Sequence, residues 1–248
     1  SSLDDDFSST HAQIGTLLHT VFERIASGNV SEMRSFIDAE WEHLSFESEW
    51  ESHNARMIAH QMADGIAAYI ADSRAQQTEV IANEGSFTLT LGIAELRGKA
   101  DRIEHVQVND GYYLPKIVDL KTGSSSPRQT DLEDHAQLLA YQLGIERAEF
   151  SFAGNPDGDQ LTRKRFGESG GASLLFVHPA YQSSRRSYKV MEQQPMTTAQ
   201  REDFIERVQE VARHIAASSF TARVEHHCDG AEGDPACRLH IIPAVSYE

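Results

Sequence analysis

The chain has 248 residues, of which 40% are hydrophobic, so it can bury a sizeable core. Its net charge of −16 argues against an ordinary nucleic-acid-binding protein, which is usually basic. Two interpretations remain open. The acidity can belong to solvated helices such as residues 40–51, leaving local basic groups or a bound metal ion to attract an anion. Alternatively, the protein does not bind nucleic acid.

Cysteine content and hydropathy indicate where the chain works. Two cysteines are too few for a disulfide framework and suit a reducing, cytoplasmic setting. We expect no signal peptide and no membrane span, because no apolar run is long enough for one. The chain begins Ser-Ser-Leu rather than with Met, and we expect it to be excised from a larger protein.

The first predicted element is an amphipathic helix over residues 12–27. His19 lies off its apolar stripe, in a row with Gly15 and Glu23 at intervals of four. Two interpretations of His19 are open: a site residue beside a glycine that permits close approach, or a partly exposed helix histidine. The stripe itself consists of Ile14, Leu17, Leu18, Val21, Phe22 and Ile25.

Further helices and strands follow in an order typical of one central sheet. Two helices are predicted at about 31–44 and 47–74, and we expect their Trp41, Leu44, Phe46 and Trp50 in the core. Strands are predicted at 78–83, 86–93, 95–106 and 112–120, a helix at 131–147, a flexible loop at 153–172, a buried strand at 173–178 and a final helix at 197–217. This order predicts an α+β or mixed α/β fold.

Two acids and a lysine lie on the predicted hairpin around Asn109-Asp110-Gly111. If those three residues form the loop, Asp101 faces Asp119 across the strands, and Lys121 shares a face with Asp119. A two-residue Asp110-Gly111 turn would shift this register by one position. The structural alternative is an ordinary surface Asp–Lys pair.

Four sequence blocks resemble the RecB-type branch of the PD-(D/E)XK nuclease superfamily. They are Gly15-Thr16-Leu17-Leu18-His19, Gly98-Lys99-Ala100-Asp101-Arg102-Ile103, Val118-Asp119-Leu120-Lys121-Thr122-Gly123 and Gln137-Leu138-Leu139-Ala140-Tyr141. Stretches such as Trp41-Glu42-His43-Leu44 are also similar to the C-terminal nuclease domains of AdnA/AdnB-type helicase–nucleases, which have UvrD-like motors.

The resemblance implies a fold and a domain plan. We expect a restriction-endonuclease-like core with a central mixed sheet flanked by helices, plus an N-terminal helical part. Residues 1–248 would form one nuclease domain, with a helical part at 1–76, a catalytic core at 77–179 and a C-terminal helix and tail at 180–248. This domain would be attached to helicase motor domains in the same chain, with a second helicase–nuclease subunit as partner.

The resemblance also implies an activity: hydrolysis of phosphodiester bonds in DNA, in single strands, during end resection and double-strand break repair near the nucleoid. Mg²⁺ or Mn²⁺ would be the cofactor, because hard divalent ions prefer oxygen ligands. The metal ligands would be His19, Asp101, Asp119 and the carbonyl group of Leu120. Lys121 would orient water or stabilise phosphate charge, with the site lined by Gln137, Tyr141, Gly15, Lys99 and Glu84.

The cysteines mark a departure from many relatives, which hold an iron–sulfur cluster with four cysteines. Here only Cys228 and Cys237 exist, so no cluster is expected. Zinc binding by these residues with His226, His227 and His240 is an alternative to a structural tail. Two other functions also stay open: a catalytically silent nuclease fold that binds DNA or acts as a scaffold, and a protein-interaction domain.

Overall fold

Helices and strands follow one another in groups in the computed structural model, which describes residues 2–109, 111–153, 161–217 and 240–243. The helices are α1 Ser2–Arg24, α2 Val30–Glu40, α3 Glu49–Ala75, α4 Ala136–Arg147 and α5 Thr198–Ala217. The strands are β1 Val80–Leu91, β2 Ala94–Asn109, β3 Tyr112–Lys121, β4 Glu149–Ala153, β5 Leu161–Lys164, β6 Ala172–Phe176, β7 Lys189–Gln193 and β8 His240–Pro243. None of these helices is sufficiently long and apolar to cross a bilayer.

The strands form one mixed sheet in the order β5-β4-β1-β2-β3-β6-β7, with β8 pairing with β2. Strands β3 and β6 run parallel, and the other pairs are antiparallel. Helices α1, α2 and α3 pack on Val118 and Leu120 of β3, whereas α4 and α5 pack with Ile117 in the other core cluster. The predicted mixed sheet flanked by helices is thereby confirmed as a restriction-endonuclease-like α/β fold.

The hairpin between β2 and β3 combines the two registers considered from the sequence. Asn109 pairs with Tyr112, as a two-residue turn requires, and Gly111 takes a φ of 80°. The register then shifts by one between Gln107 and Asn109, so that Arg102 pairs with Val118. This shift is a bulge in β2. Beyond it, next to the two acids, the strands pair in the register that was predicted for a three-residue loop.

Several predicted elements are wrong in extent. The two strands predicted at 78–83 and 86–93 are one strand, β1, which continues through Glu84 although that residue has a φ of 82°. The loop predicted at 153–172 contains strand β5, which pairs with β4, and β7 was not predicted. Strands β5 and β7 are short, and pairing with a neighbouring strand decides their conformation more than local propensity does.

Trp50 corrects the predicted core. Its side chain is 76% exposed in the first turn of α3, whereas Trp41 is buried. Trp41 stacks on Phe46 with ring centroids 5.2 Å apart and donates a hydrogen bond to Ser52 at 3.0 Å. One indole therefore fills this part of the core, and the other faces solvent.

Two glycines enclose the ring of Phe87 between the sheet and α4. A Cβ atom at Gly98 would lie 2.3 Å from that ring, and one at Gly144 would lie 2.6 Å from it. We expect Gly98→Ala to lower the free energy of unfolding by about 1–3 kcal/mol, because a buried aromatic ring must move. Urea denaturation measures the change.

Gly123→Ala is the matched control for this substitution. A Cβ at Gly123 would meet nothing within 4 Å, so its effect should stay within about 0.5 kcal/mol. Equal stability of the two variants would contradict the close packing of Phe87 on β2.

Candidate active site

Helix α1 crosses several strands of the sheet, and the residues of one row along it contact a different strand at each turn. Gly15 packs on Thr122, just after β3, where an added Cβ would lie 3.2 Å from the threonine hydroxyl oxygen. One turn later, His19 hydrogen-bonds Asp101 of β2. A step of four residues advances about 6 Å along a helix, close to the strand spacing of about 4.8 Å. Successive residues of this row therefore lie opposite successive strands of the sheet.

The same row continues at both ends. His11 lies near His178, just after β6: burial and, secondly, the electrostatic influence of His11 lower the pKa of His178. At the other end, Glu23 hydrogen-bonds Glu84 of β1. The order of contacts along α1 is thus β6, β3, β2, β1, which is the order of these strands in the sheet.

His19 is buried, with 3% of its surface exposed, so it is not the partly exposed histidine of the alternative interpretation. Its Nδ1 lies 2.8 Å from Asp101 Oδ1, and its buried Nε2 has no hydrogen-bond partner. The other oxygen of Asp101 accepts a hydrogen bond from the Leu120 backbone N–H at 2.8 Å. If Nδ1 carries the proton, Nε2 presents a lone pair for another ligand.

Asp119 takes part in a second set of contacts, which connect it to side chains of α4. Its Oδ1 accepts hydrogen bonds from Gln137 Nε2 at 3.0 Å and from the Tyr141 hydroxyl at 2.8 Å. Lys121 Nζ lies 3.0 Å from Asp119 Oδ2, an ion pair without hydrogen-bond alignment, and donates to Gln137 Oε1 at 2.9 Å. All four side chains are buried, so α4 fixes the acid and the ammonium group together.

Strands β1 and β2 both switch face beside this site. Ala82 and Phe87 of β1, and Ala100 and Ile103 of β2, belong to the same core cluster although they are five and three positions apart. Regular alternation would not place either pair on one face. Asp101 lies within this switch, which lets its carboxylate contact both the neighbouring strand and α1.

The two acids interact electrostatically. Burial raises the pKa of Asp119, the Lys121 ammonium opposes that rise, and the Asp101 carboxylate adds to it. Burial, followed by the charge of Asp119, raises the pKa of Tyr141 well above its ordinary value. The Tyr141 hydroxyl therefore stays protonated and available as a donor to Asp119.

Lys99 and Glu84, predicted to line the site, form an ion pair with each other. Burial, then the hydrogen bond and charge of Glu84, raise the pKa of Glu23 to about 7, while Lys99 and Arg24 lower it. Sequence reasoning placed Glu23 in the row with His19 but gave it no role. The interval of four from His19 was the signal that could have identified it.

The raised pKa of Glu23 predicts a pH-dependent contribution to stability. Between about pH 4.5 and pH 7 the folded state binds more protons than the unfolded state, so stability falls as pH rises through this window. Glu23→Gln removes that penalty and keeps a donor for Glu84. We expect it to raise the free energy of unfolding by about 1 kcal/mol above pH 7, after discounting for solvent screening, and to have little effect near pH 4.

Urea denaturation of both proteins between pH 4 and pH 8.5 measures this difference. Glu206→Gln, at an exposed position of α5, is the matched control and should give a curve parallel to that of the wild type. A parallel curve for Glu23→Gln would contradict proton sharing between Glu23 and Glu84.

The donor set around the two acids suits a divalent cation. Within the described residues, no three or more His, Cys, Asp or Glu side chains already converge as a metal-binding cluster. However, His19 Nε2 and Asp119 Oδ2 are buried and lack hydrogen-bond partners. Imidazole and carboxylate are ligands of such ions, and a buried polar atom without a hydrogen bond favours a bound ligand. Cys228, Cys237, His226 and His227 lie outside the described residues, as does the side chain of His240.

The fold and this site define a nuclease-type α/β protein: a mixed sheet that carries two acids and a lysine beside two helices. The sequence model of the PD-(D/E)XK nuclease superfamily matches residues 2–238. The chain belongs to this superfamily and has its nuclease fold. A search of curated proteins found no match to the chain.

Proposed function

We propose that the chain is a Mg²⁺- or Mn²⁺-dependent deoxyribonuclease that hydrolyses phosphodiester bonds in single-stranded DNA. The observation that carries this proposal is the meeting of two buried sets of groups, His19 with Asp101 and Asp119 with Lys121. A surface Asp–Lys pair, the structural alternative, would not be buried or bonded to α4.

Four groups would hold the cation: His19, Asp101, Asp119 and the carbonyl oxygen of Leu120. When bound, such an ion lowers the pKa of a water ligand and neutralises charge on the phosphoryl oxygens. The carboxylates of Asp101 and Asp119 lie on neighbouring strands and interact electrostatically, so one ion near both would relieve their mutual repulsion.

Lys121 would act on the reacting phosphate. Gln137 accepts one of its hydrogen bonds and donates to Asp119, which holds the ammonium group in a fixed place beside the acid. A positioned ammonium group stabilises the charge that develops on phosphate oxygens in a site shielded from water. The oxygen of water forms a bond to phosphorus. The bond between phosphorus and one ester oxygen breaks, and the departing ester oxygen takes up a proton.

Tyr141 and Gln137 would keep Asp119 oriented rather than react themselves. Both donate to Asp119 Oδ1, and Oδ2 is left without a hydrogen bond. Metal-ligating groups are commonly held in this way by a surrounding layer of hydrogen bonds.

The finer parts of the proposal concern biology. We propose that attached helicase motors deliver the strand during end resection and break repair, in the cytoplasm near the nucleoid, as in the AdnA/AdnB-type enzymes the sequence resembles. Cleavage of an end-labelled single strand in Mg²⁺, Mn²⁺ or EDTA tests the enzymatic part. DNA binding with neither cation binding nor cleavage would instead favour the catalytically silent module.

A further inference from the structure

A cavity of about 630 Å³ lies on the α3 side of the sheet, apart from the proposed active site. Its walls include Tyr69 of α3, Glu104 of β2, Lys116 of β3 and Tyr188, which precedes β7. None of the proposed metal ligands lines it. The buried Arg102, whose guanidinium group lies over the Phe22 ring at 5.7 Å, follows Asp101 in the chain and donates a hydrogen bond to Glu104 of the cavity wall at 2.6 Å.

The acids around the cavity already have partners. Glu104 accepts hydrogen bonds from Tyr69 at 2.9 Å and from Arg102 at 2.6 Å. Glu192 pairs with Lys116 at 2.8 Å, and Asp72 accepts a hydrogen bond from Tyr188 at 2.7 Å. Glu104 and Glu192 are therefore paired with cations of the protein, whereas Asp72 has a neutral hydroxyl donor.

Two arginines on the outer wall differ from these acids. Arg185 and Arg186 lie in a tight turn closed by paired backbone hydrogen bonds between Ser183 and Arg186. Both arginines are exposed, and neither forms an ion pair within the described part of the chain. In a chain with a net charge of −16, this cavity thus has an uncompensated positive edge.

The chemistry of the lining limits the class of ligand. Adjacent guanidinium groups match a phosphate monoester in both charge and geometry. Gln76, Thr78 and Ser187 offer an amide and hydroxyl groups, which suit a sugar or a base. The volume lies within the range of small-molecule sites, about 300–1,000 Å³.

We propose that this cavity binds a nucleotide, with its terminal phosphate monoester on Arg185 and Arg186. The choice of a nucleotide over other phosphorylated molecules rests on the proposed nuclease function. The ligand has two sources with the same chemistry, a free nucleotide and the phosphorylated end of a strand.

Calorimetry on the full chain tests the proposal. EDTA removes the divalent cation and the Asp119→Ala substitution removes cleavage, so neither contributes to the measured heat of binding. Thymidine 5′-monophosphate should bind at least about tenfold more tightly than thymidine or inorganic phosphate. Replacing both Arg185 and Arg186 by alanine should weaken its binding by at least about tenfold, since two charge-assisted contacts are lost. The matched control replaces the exposed Arg163 and Arg165 by alanine, which removes the same charge and should leave affinity unchanged.

Equal affinity of the Arg185/Arg186 variant and its parent would overturn the proposal, as would equal binding of the nucleotide and inorganic phosphate. Oligonucleotides with and without a 5′-phosphate distinguish the sources: a preference for the phosphorylated strand supports a strand end, and binding of the mononucleotide alone supports a free nucleotide. Because these measurements need no cleavage, an inactive wild-type protein would refute the nuclease function without deciding this one.

Discussion

Asp119→Ala is expected to abolish Mg²⁺- or Mn²⁺-dependent cleavage of single-stranded DNA. The loss should be at least about 10³-fold, because removing a metal ligand forfeits several kcal/mol of transition-state stabilisation. Calorimetric titration with Mn²⁺ should show weaker cation binding in the same variant. Steady-state cleavage rates and this titration together measure the effect.

Folding of the variant must be checked separately, because Asp119 is 1% exposed and accepts hydrogen bonds from Gln137 and Tyr141. Asp119→Asn keeps an acceptor for both donors. Since burial raises the pKa of Asp119 and thus opposes its charged form, this neutral variant should unfold at a similar temperature. Asp203→Ala, at an exposed position of α5, should cleave normally. Wild-type cleavage by Asp119→Ala would refute the proposed site.

Lys121→Met has a different expected signature. Cleavage should fall by about 10²–10³-fold, the usual effect of losing one positioned donor to a developing negative charge. Cation binding should persist or strengthen, because the substitution removes a positive charge 3.0 Å from Asp119 Oδ2. Comparing cleavage rates with Mn²⁺ affinity separates this role from that of a metal ligand.

Lys164→Met provides the control for removing a lysine, since Lys164 is exposed on β5. It should retain both cleavage and cation affinity. If Lys121→Met instead lost Mn²⁺ binding while cleaving at a normal rate with excess cation, Lys121 would serve only to shape the site. Cleavage equal to that of the wild type would exclude any role for the ammonium group.

Much of the sheet near the acids was predictable because its signals are local. The residues flanking Asp110-Gly111 alternate in the manner of paired strands, and the turn connects them over a few positions. Gln137 and Tyr141 stand four apart, so their helix presents both to one neighbour. The bulge that reconciles a two-residue turn with the register at Arg102 and Val118 had no such local signal.

Other features depended on contacts that no short segment encodes. Glu84 adopts a positive φ where β1 and β2 both switch face, although nothing in its neighbours requires it. Trp41 and Trp50 have similar sequence surroundings, yet only one is buried. Lys99 and Glu84, both predicted to line the site, form an ion pair with each other, which the sequence did not indicate. Each outcome depends on which element packs opposite, and that is decided at long range.

The sequence alone determined the reactive groups and their spacing within single elements, since strand alternation and helical periodicity fix side-chain directions over a few residues. Only the tertiary structure decided that α1 crosses the strands with a matching period, which brings His19 to Asp101 over 82 positions of chain. It also decided that α4 closes on Asp119 and that Arg185 and Arg186 border a cavity. Packing between distant elements sets these contacts, because burial of their apolar faces, rather than local geometry, fixes how helices and sheet meet.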